Sequence, residues 1–190
     1  MNLPDLRPQL AASQEWIAAL IDGVSPDQLS SQTPCAEYDV RGLIEHLLAV
    51  ELRVQRIGES GDIGDAPSEL PLPEGDLAAA FRSAAADAAA AWRDDERLTA
   101  TVTPPFGTMP GAAALGGYIS EHVTHGWDLA TATGQNAEAD PALAAVAMGA
   151  MEKALPDGPR EGLPFAPAVE PAADAGPTER LANWTGRRSR

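Results

Sequence analysis

The fold turns on the stretch Asp39-Val40-Arg41-Gly42-Leu43-Ile44-Glu45-His46-Leu47-Leu48-Ala49-Val50. An aspartate just ahead of Val40 offers a carboxylate to the orphan amides of a first helical turn. Val40, Leu43, Ile44, Leu47, Leu48 and Val54 then recur at the three- and four-residue steps of one apolar helix face. This spacing predicts a helix from Asp39 to about Gly58. His46 lies at the edge of its apolar face, beside Leu43 and Val50. Gly42, one turn earlier, leaves room above the imidazole.

Working outward, Leu10, Ile17, Leu20 and Ile21 mark an amphipathic helix over Leu6 to Ile21, closed by Gly23. The stretch Glu59 to Gly75 is rich in Gly, Pro, Ser and acid, and reads as a loop. Asp76 to Asp94 is a third helix, almost polyalanine on its inner side, with Leu77, Phe81 and Trp92 as larger packing groups. Thr101, Val102 and Thr103 form a short extended segment within Leu98 to Pro110, because Pro104 and Pro105 prevent a helix. Another helix runs from about Gly111 to Thr133, weakened early by Gly116 and Gly117. Asp140 with Pro141 opens one more, reaching Leu155. Residues 156–177 hold too much proline and glycine for regular structure. Thr178 is the expected cap of a last short helix, Glu179 to Trp184, ahead of the basic end Arg187-Arg188-Ser189-Arg190, which reads as disordered. The expectation is an all-α four-helix bundle over residues 1–155, with a proline-rich extension and short terminal helix over 156–190.

Composition narrows the partners. The apolar fraction of 44 % is ordinary, but alanine dominates and aromatics reach only 5 %, which favours helices. The formal charge of −15 repels phosphate backbones and anionic lipid, arguing against nucleic acid and membranes. No apolar run approaches the roughly 20 residues that span a bilayer. The start MNLPDLRPQL lacks the basic-then-apolar pattern of a signal peptide. The single cysteine, Cys35, precludes an internal disulfide framework and reads as a small buried apolar group. A cytoplasmic location is the expectation.

The chemistry concentrates in three histidines. In Ser120-Glu121-His122-Val123-Thr124-His125-Gly126-Trp127-Asp128, Glu121 and His125 stand one turn apart on one helix face. A carboxylate oxygen and an imidazole nitrogen can therefore aim at a common point, and His46 from another helix would complete a set of three. From spacing alone, a hydrogen-bonded core histidine is the competing reading. His122 competes as a ligand, because it and His125 stand at i and i+3, which also share a helix face, although a solvent-facing or supporting role is the alternative. Asp128 can orient an imidazole from behind or form a surface ion pair. Arg53 lies two turns beyond His46 on its side of the helix, where it can meet an anionic substrate or remain an exposed arginine.

Thr33-Pro34-Cys35-Ala36-Glu37-Tyr38-Asp39-Val40-Arg41, followed by Glu45-His46-Leu47, resembles a signature of the DinB-like and mycothiol-dependent maleylpyruvate isomerase N-terminal superfamily, in an actinobacterial metal-binding subgroup. Glu121 through His125 to Trp127-Asp128-Leu129-Ala130 is similar to that superfamily's E-x-x-x-H-x-W-D-L-A region. Pro105-Phe106-Gly107 to Pro110-Gly111 resembles the loop leading into it, and Pro164-Phe165 with Arg180-Leu181-Ala182 and Gly186-Arg187 resembles the subgroup's ending. Tyr38 departs from the tryptophan expected at its position. The chain is also too short for the separate C-terminal domain of the isomerases themselves. The resemblance implies a DinB-like fold holding a divalent metal on His46, Glu121 and His125, zinc first, with nickel, iron and manganese compatible. Three protein ligands leave an open position. The expected activity is a metal-dependent thiol transferase or isomerase, with mycothiol as co-substrate and a small electrophile as partner. A non-catalytic metal-binding or stress-related ligand-binding module is the alternative, and metal-dependent hydrolysis ranks last for want of a general base.

Overall fold

The computed structural model describes residues 4–189; residues 1–3 and 190 lie outside them, including the last residue of the basic end. The fold is all-α, with α1 (Arg7–Asp22), α2 (Val40–Ser60), α3 (Leu77–Ala91), a single turn α4 (Glu96–Thr99), α5 (Gly111–Thr133), α6 (Pro141–Ala154) and α7 (Pro177–Trp184). Helices α1 and α2 each pack on both α3 and α5, so these four close a ring around the core. Helix α6 covers α5, and α7 lies across both. Among the described residues no helix is long and apolar enough to cross a membrane.

Local chemistry sets the helix boundaries. Asp39, Asp76 and Asp140 accept the amides of Gly42, Ala79 and Ala142 and start α2, α3 and α6. Helix α2 runs past Gly58 to Ser60 and ends at Gly61, whose φ of 82° suits a left-handed cap. Gly58 stays helical because the Trp92 indole lies against it, donating Nε1–H to the Val54 carbonyl at 2.9 Å. The extended segment forms a two-residue antiparallel ribbon, β1 (Thr101–Val102) with β2 (Met109–Pro110). Its connecting loop delivers Phe106 edge-on to Tyr118, with centroids 5.4 Å apart.

Two expectations about the tail change. Thr178 is not the cap of α7; its hydroxyl accepts the Ala139 amide, while the Glu138 carboxylate accepts the amides of Thr178 and Glu179. The anion at this helix start is therefore supplied by the α5–α6 connection. The basic end is also not free throughout. Arg187 folds back to Asp128 on α5, with Nη2 and Oδ2 3.1 Å apart.

Helix α5 is buried along most of its length, and Gly126 lets α1 approach it. A Cβ at Gly126 would stand 2.1 Å from the Trp16 ring. Helix propensity alone favours alanine over glycine by about 1 kcal/mol, whereas overpacking costs about 1–3 kcal/mol. The clash should win. Gly126→Ala is expected to lower the urea midpoint with an unchanged m-value; a raised midpoint would show that Trp16 swings aside freely.

Candidate metal centre

Helices α2 and α5 run antiparallel in register, so His46 faces both Glu121 and His125. The Glu121 Oε2 atom lies 3.6 Å from His46 Nε2 and 3.4 Å from His125 Nε2. The imidazoles meet edge to face, with centroids 5.0 Å apart. One ligand atom from each of the three residues falls within 4.8 Å of the others, close enough to surround one cation.

The second ring nitrogens show how the imidazoles are held. His46 Nδ1 lies 3.0 Å from the Ser68 carbonyl, which can only accept, so Nδ1 carries the proton. Its Nε2 is then a lone pair. That atom is buried, has no hydrogen-bond partner, and points toward a carboxylate beyond hydrogen-bond range. His125 Nδ1 is likewise 3.1 Å from Asp128 Oδ2, which turns its Nε2 toward Glu121. Imidazole ligands of metals are commonly oriented in this way from behind. Once His125 gives up its proton, two ring nitrogens and a carboxylate point their electron pairs into one small volume, and a shared cation would relieve that arrangement. The residues present therefore fit a divalent ion.

Without a metal, protons do part of this work. Burial opposes the imidazolium of His125, but hydrogen bonds to Asp128 and Glu121 outweigh it and raise its pKa to about 9. Burial would raise the Glu121 carboxyl, yet its hydrogen bond to His125 and the charge on that imidazole hold it well below the usual carboxylate range. Its side chain is 32 % exposed, so the centre opens to solvent on the carboxylate side.

The remaining sequence candidates fall into distinct places. Asp128 is fully buried, bridging His125 and Arg187. His122 turns away from the cluster toward α1 and α2. Ser13 Oγ donates to the Leu10 carbonyl, so it accepts from His122 Nδ1, 2.9 Å away. His122 Nε2 stands 2.9 Å from Glu51 Oε1, a close electrostatic contact bent away from hydrogen-bond alignment. Gln14 donates to the other Glu51 oxygen at 2.6 Å. Arg53 donates Nη2–H to the Pro67 carbonyl, in the same loop that anchors His46. Cys35 is half-buried, with a ligand atom within 4.8 Å of one each from His125 and Asp128. Burial raises its thiol pKa and keeps it protonated.

Sequence reasoning missed Ser68, Glu51, Ser13 and Arg187. Only Arg187 had a legible signal, as part of the family-like ending, and that signal carried no role. Tyr38 is also closer to the chemistry than a packing substitution implies. Its ring stacks on His46 with centroids 4.9 Å apart, and its hydroxyl is 3.2 Å from Nδ1.

Known proteins resemble the chain at two levels. An uncharacterised protein of Mycobacterium tuberculosis, present in strains CDC 1551 / Oshkosh and ATCC 25618 / H37Rv, is 35 % identical over 178 residues, covering 92 % of this chain and 93 % of the relative. A crystal structure of a DinB-like protein from Bacillus subtilis aligns with a TM-score of 0.55 and 15 % identity, over 71 % of this chain and 94 % of that one. A mycothiol-dependent maleylpyruvate isomerase aligns with a TM-score of 0.57 and 15 % identity, over 80 % of this chain and 68 % of that one. Those structures establish the shared fold. The profile of the mycothiol maleylpyruvate isomerase N-terminal domain matches residues 10–130, the span that contains all three converging side chains. The chain belongs to the mycothiol maleylpyruvate isomerase N-terminal domain family.

Proposed function

We propose that the protein is a metal-dependent thiol transferase or isomerase, with His46, Glu121 and His125 holding one divalent ion, zinc first, and a mycothiol-type thiol as co-substrate. The observation that carries this reading is the buried, unpartnered Nε2 of His46 directed at Glu121 and His125. A metal bound there would supply Lewis acidity, keeping a thiol deprotonated at neutral pH.

The chain's own residues would prepare the centre. The Ser68 carbonyl and Asp128 fix the two imidazoles with their Nε2 atoms inward. Arg187 holds Asp128 and offsets its charge within the protein. Glu121, partly exposed, leaves the approach from solvent open. Family membership supports a small thiol as partner, and the structural similarity to a mycothiol-dependent isomerase supports the same class of chemistry.

Protein purified without chelator or histidine tag should contain close to one equivalent of divalent metal by elemental mass spectrometry. His46→Ala should lose it, and with it any thiol-dependent turnover of an electrophile. Metal retained by His46→Ala would reject the ligand assignment. Full metal without turnover across thiols and electrophiles would favour a binding module.

Proton and metal compete for His125, and the sign follows from its raised pKa. The charged imidazole stabilises the metal-free fold below about pH 6.5, and that contribution disappears as pH rises through about 9. The metal-free protein should therefore melt at lower temperature as pH is raised across this window. Apparent metal affinity should rise over the same range by up to about ten-fold per pH unit, one proton being released. Competition titrations that show a flat affinity would contradict a protonated His125. Asp128→Asn keeps the shape but removes the charge behind His125, and should weaken metal binding about ten-fold with the fold retained by circular dichroism.

A further inference from the structure

Two buried polar atoms along the bundle from the metal centre have no hydrogen-bond partner. Tyr118 lies three residues before Glu121 on α5 and is only 2 % exposed, yet its hydroxyl is buried without a hydrogen bond. Arg53, seven residues after His46 on α2, uses Nη2 to bind the Pro67 carbonyl and leaves a buried Nε unsatisfied. Because α2 and α5 are antiparallel, seven residues beyond His46 and seven before His125 are the same level of the bundle. That level is about 10 Å along the axis from the imidazole pair. The Arg53 guanidinium reaches the Pro67 carbonyl, next to the Ser68 carbonyl that holds His46. Burial raises the pKa of the Tyr118 hydroxyl and keeps it protonated.

Both unmatched groups have a hydrogen to donate. A guanidinium cannot accept, and burying such hydrogens without an acceptor is costly. Glu121, one turn along α5 from Tyr118, already faces two imidazoles. The general charge of −15 repels anions, so an anionic ligand needs a local, directed cation to stay. Phe106 stands over this level, packed on Tyr118 and on the side-chain-free Gly117, and is 44 % exposed. It offers an apolar surface at the rim.

We infer that Arg53 and Tyr118 form an anion subsite that receives a carboxylate of the thiol or of its electrophilic partner, about two helical turns from the metal. The inference rests on the metal–thiol reading for the position of the sulfur. It makes Arg53 a specificity residue, selecting ligands with an acid at one end and the reacting group at the other.

The test uses the full chain loaded with cobalt, on which a bound thiolate gives a near-ultraviolet charge-transfer band. Mercaptohexanoate is titrated against mercaptohexanol, which has the same length and no charge. The wild type should bind the acid about ten-fold more tightly or better, the scale of a charge-assisted hydrogen bond. Arg53→Gln should abolish this preference while leaving mercaptohexanol affinity within about two-fold, because the uncharged thiol makes no use of the guanidinium. Tyr118→Phe should narrow the preference, and Arg53→Lys should restore part of it. Equal affinities in the wild type, or a preference that survives Arg53→Gln, overturn the subsite and leave the metal reading intact. The metal-free protein is titrated with hexanoate in parallel, following the Arg53 Nε–H resonance. A shifted resonance in a protein that takes up no cobalt overturns the metal reading and keeps the subsite. No shift and no cobalt overturn both.

Discussion

Each imidazole facing Glu121 has its other ring nitrogen tied to an acceptor that cannot donate, Ser68 carbonyl for His46 and Asp128 for His125. This constraint organises the surroundings. It fixes which nitrogen faces inward, draws the α2–α3 loop across α2, and calls for a counter-charge behind Asp128. Arg187 meets that last need, because a buried carboxylate left alone would be strongly unfavourable. Around the centre, the bundle supplies rigidity through helices that pack closely on alanine and glycine.

A second polar system lies on the other side of α5. Glu121 and His122 are neighbours in sequence, but the helix sends them in different directions, one to the solvent-accessible centre and one into the α1 interface. His122, Ser13, Glu51 and Gln14 are all buried and joined by two hydrogen bonds, with His122 Nε2 and Glu51 Oε1 in electrostatic contact only. Such a network favours one packing register between helices, since a shift of one turn would strand several polar atoms at once. It thereby fixes the rotation of α5, and with it the direction in which Glu121 and His125 project.

Much of this was legible in the sequence. The Asp39 cap with its following apolar steps gave α2, and the i,i+4 pair in α5 brought Glu121 and His125 together with no knowledge of the tertiary fold. His46 could be added from pattern alone only as a candidate, and family resemblance raised it above a core histidine. The parts that stayed hidden depend on distant contacts. Ser68 is a carbonyl in a loop, where side-chain identity carries no signal. Gly58 resembled a helix end until Trp92 occupied the space above it. Thr178 has the chemistry of a cap, but Glu138 reaches the amides first. Glu51, in the middle of an amphipathic helix, reads as a surface acid, and only the position of His122 explains its burial.

The contact of Arg187 with Asp128 has a consequence for the order of assembly. Chains are made from the N-terminus, and domains can begin to fold during synthesis. Every helix of the four-membered ring is translated before Arg187, so the ring can close while Asp128 still lacks its counter-charge. For that interval His125 is backed by an uncompensated carboxylate, a more basic and more strongly cation-attracting arrangement than the finished one. The arrival of the tail then supplies the missing charge and covers the buried Asp128 carboxylate from behind.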